Sequence, residues 1–389
     1  MTKLTILALH LGYGGVESAI TSLANAMCYD YDIEIVSVYK LYDKPAYELN
    51  ERIKVTYLLD TDIAIKVDKY KKSINSHKYG RLFKQLYNDY KLNIVKLTKD
   101  TVNSYKTVKQ KESLLIDYLK NMDTDIVLST RIEHNYLVSK YANKCYKIAW
   151  EHNHGDAKYI KNVVDSCYNI NTLVVVSKEL YYLYSNEAKR LKIAHVPNVI
   201  NTPCSTRSEL NNNKLVSVGR LVTVKGFDDM IEVMKLVHQK NPDVTLEIIG
   251  DGDLYDDLRD KIYSYKLNDV ITLSGLRDRE YINNTLSNSS LFLLTSHSES
   301  FGLVVVEAAS AGLPTIAFST AEGVTELIDG NNGVLIDNRN IDDMANTIVN
   351  LLNDRKRLKD MGNNAYKTSL NYTSDRVYNK WLDVFENKF

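Results

Sequence analysis

The chain has 389 residues, of which 44% are hydrophobic and 25% are charged, and its 49 basic residues balance its 49 acidic residues. This length exceeds one typical domain, so two domains are expected, and the neutral total argues against a nucleic-acid binder, which needs a basic balance. The four cysteines are widely scattered, which argues against a disulfide framework and favours a reduced cytoplasmic setting, and they lack the spacing of zinc ligands. Because no window of about 18 residues is continuously apolar, no membrane-spanning helix is expected.

Short β-branched runs recur along the chain and alternate with segments of helical periodicity. Most of these runs are continuously apolar, as in parallel strands that are covered on both faces. The alternation predicts βαβ units and an α/β fold. The predicted strands are 4–9, 33–39, 55–59, 126–129, 147–150, 173–176, 193–196, 215–218, 246–249, 271–273, 291–294, 315–318 and 333–336.

One stretch between the two halves has the composition of a linker. Residues 198–213 contain Pro203, several serines and threonines, and three consecutive asparagines. We therefore predict an N-terminal domain over residues 1–198 and a C-terminal domain over 199–373. Residues 374–389 follow as an amphipathic helix.

A glycine-rich turn follows the first predicted strand. Residues 12–15 read Gly-Tyr-Gly-Gly and lead into a helix over 18–27. Glycines at such a turn let backbone N–H groups approach a ligand, and a helix N-terminus favours an anion. The spacing lacks the third glycine of the dinucleotide-binding pattern. Anion binding through Gly14 and Gly15 and a tight turn without a ligand both remain open.

Two cationic residues follow the first predicted strand of the second half. Arg220 follows Gly219 directly, and Lys225 lies five residues later at the start of a helix. Cations at the carboxyl end of a parallel strand are well placed to hold a diphosphate and to neutralise a departing nucleotide. The alternative is a pair of solvated surface charges.

A third segment combines a polar loop with an apolar helix that contains a carboxylate. Residues 296–303 form the loop, which includes Glu299, and Glu307 follows between Val306 and Ala308. A carboxylate in such surroundings is costly to bury unless a partner holds it, and the ribose hydroxyls of a nucleotide are suitable partners. The alternative is a helix-capping loop with a partly exposed glutamate.

Two further strand ends carry polar residues or glycine. His152 lies where the strand before it ends, either contacting a ligand or bonded to a loop carbonyl. Gly250 follows another strand, where the chain is expected to pass close to a ligand. The Asp-x-Asp sequences at 251–253 and 123–125 match a metal-binding pattern of single-domain glycosyltransferases, but the pattern is common by chance and we discount it.

Taken together, these motifs resemble the retaining glycosyltransferases of the GT-B fold, family 4, of the "glycosyl transferases group 1" type. The resemblance is carried by the Glu-x7-Glu pattern of Glu299 and Glu307, by the sequence Ala-Ala-Ser-Ala-Gly-Leu-Pro over 308–314, and by Gly-Arg-x4-Lys-Gly over 219–226. It implies two Rossmann-like doubly wound domains that face a cleft. It also implies that the helix over 374–389 packs back onto the N-terminal domain.

The resemblance assigns roles to the matching residues. Arg220 and Lys225 would bind the donor diphosphate, Glu299 the donor sugar, and Glu307 the ribose, while His152 would lie beside the reacting sugar. The predicted catalytic residues are Glu299, His152, Arg220 and Lys225. The predicted donor-binding residues are Gly14, Gly15, Gly219, Arg220, Lys225, Gly250, Leu276, Glu299, Phe301, Gly302, Leu303 and Glu307.

The resemblance also implies the chemistry and the partners. Transfer would retain the configuration and need neither a metal nor a cofactor, because the two cations stabilise the leaving diphosphate. The donor would be a nucleoside diphosphate sugar, with UDP-sugar first, and the acceptor a glycan or lipid-linked saccharide of a bacterial surface polysaccharide such as a capsule. Where many relatives carry a Gly-Gly pair, residues 320–326 read Thr-Ala-Glu-Gly-Val-Thr-Glu, so the donor of a relative does not transfer to this chain.

A basic segment interrupts the first half. Residues 66–112 hold thirteen lysines and arginines and four acidic residues, interleaved with aromatic and leucine side chains. This pattern fits binding to an anionic membrane surface, which predicts a cytoplasmic protein that is peripheral on the inner face of the membrane. It fits a solvated helical face equally well.

Three other functions remain as alternatives. A sugar-nucleotide epimerase of the same fold would release free sugar without an acceptor. A non-catalytic glycosyltransferase-like subunit would be marked by loss of Glu299, Arg220 or Lys225, and all three are present. A nicotinamide-dependent oxidoreductase is disfavoured by the missing glycine pattern and by the absence of an acidic residue at the end of the second strand.

Overall fold

The computed structural model describes residues 1–59, 100–200 and 203–386, and for residues 100–110 only the backbone. The chain divides into two compact units. The first comprises Met1–Trp150 and Asn162–Leu173, and the second comprises Glu151–Lys161 and Val174–Phe389. The domain bounds of 1–198 and 199–373 stay a prediction.

Each of the predicted strands is present, and the strands form two sheets. Among the described residues the first sheet has seven strands in the order β3-β2-β1-β4-β5-β6-β7, and the second has six in the order β10-β9-β8-β11-β12-β13. The paired strands run parallel, so the expected doubly wound α/β architecture is confirmed. The strands are β1 (Thr2–Ala8), β2 (Tyr31–Tyr39), β3 (Lys54–Leu59), β4 (Ile126–Ser129), β5 (Tyr146–Glu151), β6 (Thr172–Val175), β7 (Lys192–His195), β8 (Lys214–Val218), β9 (Thr245–Ile249), β10 (Ile271–Gly275), β11 (Leu291–Leu294), β12 (Thr315–Phe318) and β13 (Gly333–Ile336).

Helices follow most of these strands, as the βαβ pattern predicts. They are α1 (Gly15–Met27), α2 (Asp100–Asn121), α3 (Ile132–Tyr141), α4 (Ala157–Ser166), α5 (Lys178–Glu187), α6 (Phe227–Lys240), α7 (Tyr255–Ser264), α8 (Arg279–Ser287), α9 (Leu303–Ser310), α10 (Ile341–Asn353), α11 (Arg355–Ser369) and α12 (Ser374–Phe385). Short 3-10 turns occur at Thr223–Lys225, Glu322–Val324, Asp337–Arg339 and Leu370–Tyr372.

The central strands of both sheets are buried along their whole length. In β11 all four residues are buried, as are the four residues of β4 and of β12. Each fully buried leucine or isoleucine contributes about 1.5–3 kcal/mol, and burial on both faces explains why these strands are continuously apolar in the sequence. Polar residues are therefore concentrated in the loops that follow the strands.

The strand order reverses once in each sheet, and each reversal lies beside a predicted site. In the first sheet the reversal falls between β1 and β4, and in the second between β8 and β11. Loops that leave neighbouring strands in opposite directions open a crevice at the carboxyl ends, where open α/β sheets bind ligands. Gly14 and Gly15 follow β1, Arg220 follows β8, and Glu299 follows β11.

The last helix is amphipathic, as expected. In α12, Trp381 is fully buried and its ring packs at 5.4 Å from that of Phe385. The packing of this helix onto the N-terminal domain stays a prediction. Among the described residues every helix is too short or too polar to cross a bilayer. The predicted membrane-binding segment, 66–112, lies almost wholly outside the residues whose side chains are described.

Candidate active site

The structure brings two of the predicted catalytic residues into direct contact. The Lys225 ammonium donates to Oε1 of Glu299 at 2.5 Å, and the Ser296 hydroxyl donates to the same oxygen at 2.7 Å. Both charged side chains are largely shielded, with 21% and 10% of their surface exposed. The pair lies at the carboxyl ends of β8 and β11, the reversal point of the second sheet, so a charge-assisted contact holds both residues before any ligand is present.

Gly219 and Arg220 begin the loop after β8. The Gly219 N–H donates to the carbonyl of Ile249 at 3.0 Å, which continues the pairing of β8 with β9. The Arg220 side chain is exposed. Gly250 has φ +152°, and a Cβ there would collide with the Gly219 carbonyl. The close approach that requires a glycine at 250 is therefore made by the neighbouring backbone.

A partly buried guanidinium, that of Arg339, fixes the start of the loop after β11. Arg339 donates to the carbonyls of Thr295 at 2.8 Å and Ser296 at 3.0 Å, and it pairs with Asp229. It also donates to the Thr320 hydroxyl at 3.0 Å. Because Ser296 in turn bonds Glu299, Arg339 supports the position of the carboxylate that meets Lys225.

The loop then enters α9 through a left-handed glycine. Gly302 has φ +81° and precedes Leu303, the first residue of the helix, and no side chain caps this end. The Phe301 ring is buried and packs edge-on against Tyr372 at 5.5 Å, so Phe301 can offer a ligand only its backbone. The uncapped N–H groups and the helix dipole make this end favourable for a negative charge.

Glu307 is buried, as its apolar neighbours predict, and its partner is an arginine. Nη2 of Arg279, the first residue of α8, donates to Oε1 of Glu307 at 2.6 Å. The ion pair stabilises the buried carboxylate without a nucleotide. The predicted need for a partner is thus confirmed, while the ribose role of Glu307 stays a prediction.

Leu276 follows β10 and is 60% exposed. Nearby, the Arg277 guanidinium lies 4.8 Å from the centre of the Tyr281 ring, and the Tyr281 hydroxyl donates to Glu247 at 2.9 Å. An exposed apolar side chain beside a cation and an aromatic ring is a suitable environment for a nucleobase.

His152 is buried at the end of β5 and lies in the second unit with Arg220, Lys225 and Glu299. The residue before it, Glu151, is 3% exposed. Oε1 of Glu151 accepts from the backbone N–H of Asn153 at 2.6 Å, from its side-chain amide at 3.1 Å and from the Tyr159 hydroxyl at 3.2 Å. Burial nevertheless raises the pKa of Glu151 to about 7, and the hydrogen bonds oppose that rise.

The glycine turn of the first unit is occupied by a carboxylate. The side chain of Glu17, in the first turn of α1, folds back against Gly14, where a Cβ would collide with it, whereas Gly15 faces open space. Oε1 of Glu17 lies 3.2 Å from Nη2 of Arg131, in the loop after β4, and 3.5 Å from Nδ1 of His10. A carboxylate of the chain itself therefore lies beside this turn without capping the helix, and ligand contacts of Gly14 and Gly15 stay predictions.

Sequence reasoning did not identify Arg279, Arg339 or Arg131 as site residues. The only sequence signal for Arg279 is the need of Glu307 for a partner, which does not say where in the chain the cation lies. Arg131 has a clearer signal, since it follows a predicted strand as Arg220 does.

A family comparison and two curated relatives place this geometry in context. Residues 202–368 match the family model described as "Glycosyl transferases group 1". An exopolysaccharide phosphotransferase of Streptomyces coelicolor is 26% identical over 383 residues, which cover 96% of this chain and 39% of that protein. An uncharacterized glycosyltransferase of Haemophilus influenzae is 25% identical over 395 residues, 99% of this chain and 100% of that protein. The chain thus spans about two fifths of the first relative and the full length of the second.

Solved structures match the whole fold. A crystal structure of S. aureus TarM, a mutant in complex with fondaparinux, α-GlcNAc-glycerol and UDP, has a TM-score of 0.76 at 18% identity, covering 99% of this chain and 100% of that one. At this identity the likeness establishes the fold alone. Residues 202–368, which contain the whole second sheet, therefore match the model of glycosyl transferases group 1, and the two doubly wound sheets have the GT-B fold.

Proposed function

We propose that this protein transfers a hexose or N-acetylhexosamine from a nucleoside diphosphate sugar, with a UDP-sugar as the first candidate, to a glycan or lipid-linked saccharide. The transfer retains the anomeric configuration and serves the synthesis of a bacterial surface polysaccharide. The observation that carries the proposal is the contact of Lys225 with Glu299 at the reversal point of the second sheet.

The charges of this region suit the reaction. Cleavage of the sugar–phosphate bond builds negative charge on the departing phosphate and positive charge on the anomeric carbon. Lys225, Arg220 and the uncapped N-terminus of α9 supply positive charge and N–H dipoles for the former. The carboxylate of Glu299 is suited to hydroxyls of the sugar.

Donor binding then requires an exchange of partners. Without a ligand the Lys225 charge is neutralised by Glu299. When the donor diphosphate binds the Lys225 ammonium, the Glu299 carboxylate is released to accept hydrogen bonds from the donor sugar. Donor binding thus frees Lys225 and Glu299 from one another in a single step. Retention follows if the acceptor attacks on the side of the leaving phosphate, which accepts its proton. His152 then positions the sugar, and the protein provides no separate general base.

The relatives support the donor and product classes by analogy. The TarM structure contains UDP together with α-GlcNAc-glycerol, and the Streptomyces coelicolor relative is named for an exopolysaccharide. We infer a UDP-sugar donor and a polysaccharide product for this chain from those names. The metal-independent mechanism rests on the two cations, which replace a metal ion at the phosphates.

A thermal-shift screen of the purified protein against UDP, GDP, ADP and CMP tests the proposal, with and without EDTA. At a hundredfold excess over its dissociation constant a ligand stabilises the folded state by about 2.7 kcal/mol. A rise in melting temperature with one nucleoside diphosphate, equal in both conditions, supports a nucleotide-sugar donor and identifies its base. The absence of a rise with any of the four favours a non-catalytic glycosyltransferase-like subunit.

Product analysis separates the remaining alternative. With the matching nucleotide sugar and an acceptor, the transferase releases nucleotide in proportion to the acceptor added. An epimerase instead yields free or inverted sugar without any acceptor.

A further inference from the structure

Three metal-ligating side chains to which the proposed transfer assigns no role meet in the second unit. His154 lies in the loop after β5, Glu179 in the first turn of α5, and Glu322 in the 3-10 turn Glu322–Val324. Their ligand atoms all lie within 4.8 Å of one another. We call these residues the His154 cluster. It belongs to the second unit, and none of its members has a role in the proposed transfer.

The spacing of the ligand atoms fits a coordination sphere. Nε2 of His154 is 3.0 Å from Oε1 of Glu179 and 3.6 Å from Oε2 of Glu322. Histidine nitrogen and carboxylate oxygen both bind zinc at about 2.0–2.2 Å, so two such atoms at tetrahedral or octahedral angles lie roughly 3.0–3.6 Å apart. The two distances from His154 therefore already match those around a single ion.

The charges and hydrogen bonds of the cluster also favour a cation. Two carboxylates with one imidazole carry a net negative charge whether or not the imidazole is protonated. In the part of the chain that the structure describes, Oε2 of Glu179 is buried without a hydrogen-bond partner. A divalent ion at Oε1 of Glu179 would neutralise this carboxylate, whose second oxygen is costly to bury while the group is charged. The Glu322 side chain is 50% exposed, which leaves a path for an ion to enter.

We propose that His154, Glu179 and Glu322 bind one divalent first-row transition-metal ion, with water completing its coordination. One imidazole and two carboxylates suit Zn²⁺ or Mn²⁺, whereas Mg²⁺ and Ca²⁺ prefer oxygen ligands alone. This site goes beyond the proposed transfer and does not depend on it.

The ion would join three separate parts of the chain. Gly323, next to Glu322, donates its N–H to the carbonyl of Glu299 at 2.9 Å. A metal bound to Glu322 therefore restrains the loop on which the backbone of Glu299 rests. Its role is to hold this loop, and the diphosphate remains with Lys225 and Arg220.

Metal titration of the EDTA-treated full-length protein tests the site. Isothermal titration with ZnCl₂ is expected to show one saturable equivalent, and MgCl₂ much weaker binding. The variant Glu322→Gln removes one ligand on an exposed side chain and should weaken Zn²⁺ binding roughly tenfold or more, since even outer-shell changes cost ten- to hundredfold. Glu187→Gln, at the exposed end of the same helix as Glu179, is the matched control and should bind as the parent does.

Substitution with Co²⁺ identifies the ligands independently. The expected visible spectrum has ligand-field bands that Glu322→Gln alters and Glu187→Gln leaves unchanged. A thiolate charge-transfer band would mean that a cysteine holds the ion and would overturn the proposal. So would equal Zn²⁺ affinity in both variants, or the lack of saturable binding in the parent. The nucleotide-induced thermal shift is measured separately, so failure of the metal site leaves the proposed transfer unaffected.

Discussion

Replacing Glu151 by glutamine should change how the stability of the protein depends on pH. Glu151 is 3% exposed, and its burial raises its pKa from the ordinary 4.5 to about 7. The folded state therefore holds a proton on this carboxyl more tightly than the unfolded state does. The contribution to stability is complete below pH 4.5, declines as the pH rises, and is lost above pH 7.

The size of this effect follows from the two pKa values. At about 1.4 kcal/mol for each tenfold change in proton affinity, a pKa that moves from 4.5 to about 7 corresponds to about 3 kcal/mol. The variant Glu151→Gln keeps an oxygen for the donors of Asn153 and Tyr159 and does not titrate. Relative to the parent, we expect it to gain about 3 kcal/mol of stability as the pH rises, most of it between pH 5 and pH 8.

Urea unfolding of both proteins at pH 5, 6, 7 and 8, followed by circular dichroism, measures the difference. All other titrating groups are common to the two proteins, so their contributions cancel in the comparison. A constant difference across the four pH values would refute a protonated Glu151 in the folded state and imply that its three hydrogen bonds outweigh burial.

The site allows three further predictions. Lys225→Ala should lower turnover by about two decades or more, because it removes a fixed positive charge at the developing anion, and it should leave the circular dichroism spectrum unchanged. Nucleotide release at near-parental rates would remove Lys225 from the mechanism. Arg279→Gln should weaken nucleotide binding, as measured by calorimetry. A double-mutant cycle with Glu307→Gln should show a coupling of about 1–3 kcal/mol in the binding free energy. Additive effects would mean that the ion pair does not support the nucleotide. Gly302→Ala should destabilise the fold more than Gly330→Ala. Both glycines have φ near +80°, but only at Gly302 would a Cβ collide with a neighbour, the side chain of Val324. Equal melting temperatures of the two variants would contradict this.

The sequence was sufficient to predict the strands because burial on both faces leaves a local signal. The run over 291–294 is apolar at each position and forms β11 with all four residues buried. The starts of two helices were predictable from glycines. Gly226 and Gly302 adopt left-handed conformations directly before α6 and α9. These features depend on neighbouring residues only, so a single sequence contains them.

The partners of the charged residues could not be predicted in the same way. Lys225 and Glu299 are 74 positions apart, and the sequence indicates each as a donor contact but not their contact with one another. For Glu307 the burial was predictable, but its partner, Arg279, lies 28 positions earlier on another helix. Side-chain pairing across elements depends on the tertiary packing, which a local pattern does not encode.

These pairings bear on how binding and chemistry are connected. In both the Lys225–Glu299 and the Arg279–Glu307 contacts, a residue assigned to the donor is already neutralised by a residue of opposite charge. A donor that brings two negative phosphates and several hydroxyls can replace such contacts only by offering each partner a new one. A ligand with the nucleoside diphosphate but no sugar would take Lys225 and leave the Glu299 carboxylate without its cation. Under the proposed function the complete donor offers a new partner to both residues, so we expect the intact nucleotide sugar to bind more tightly than the free nucleotide.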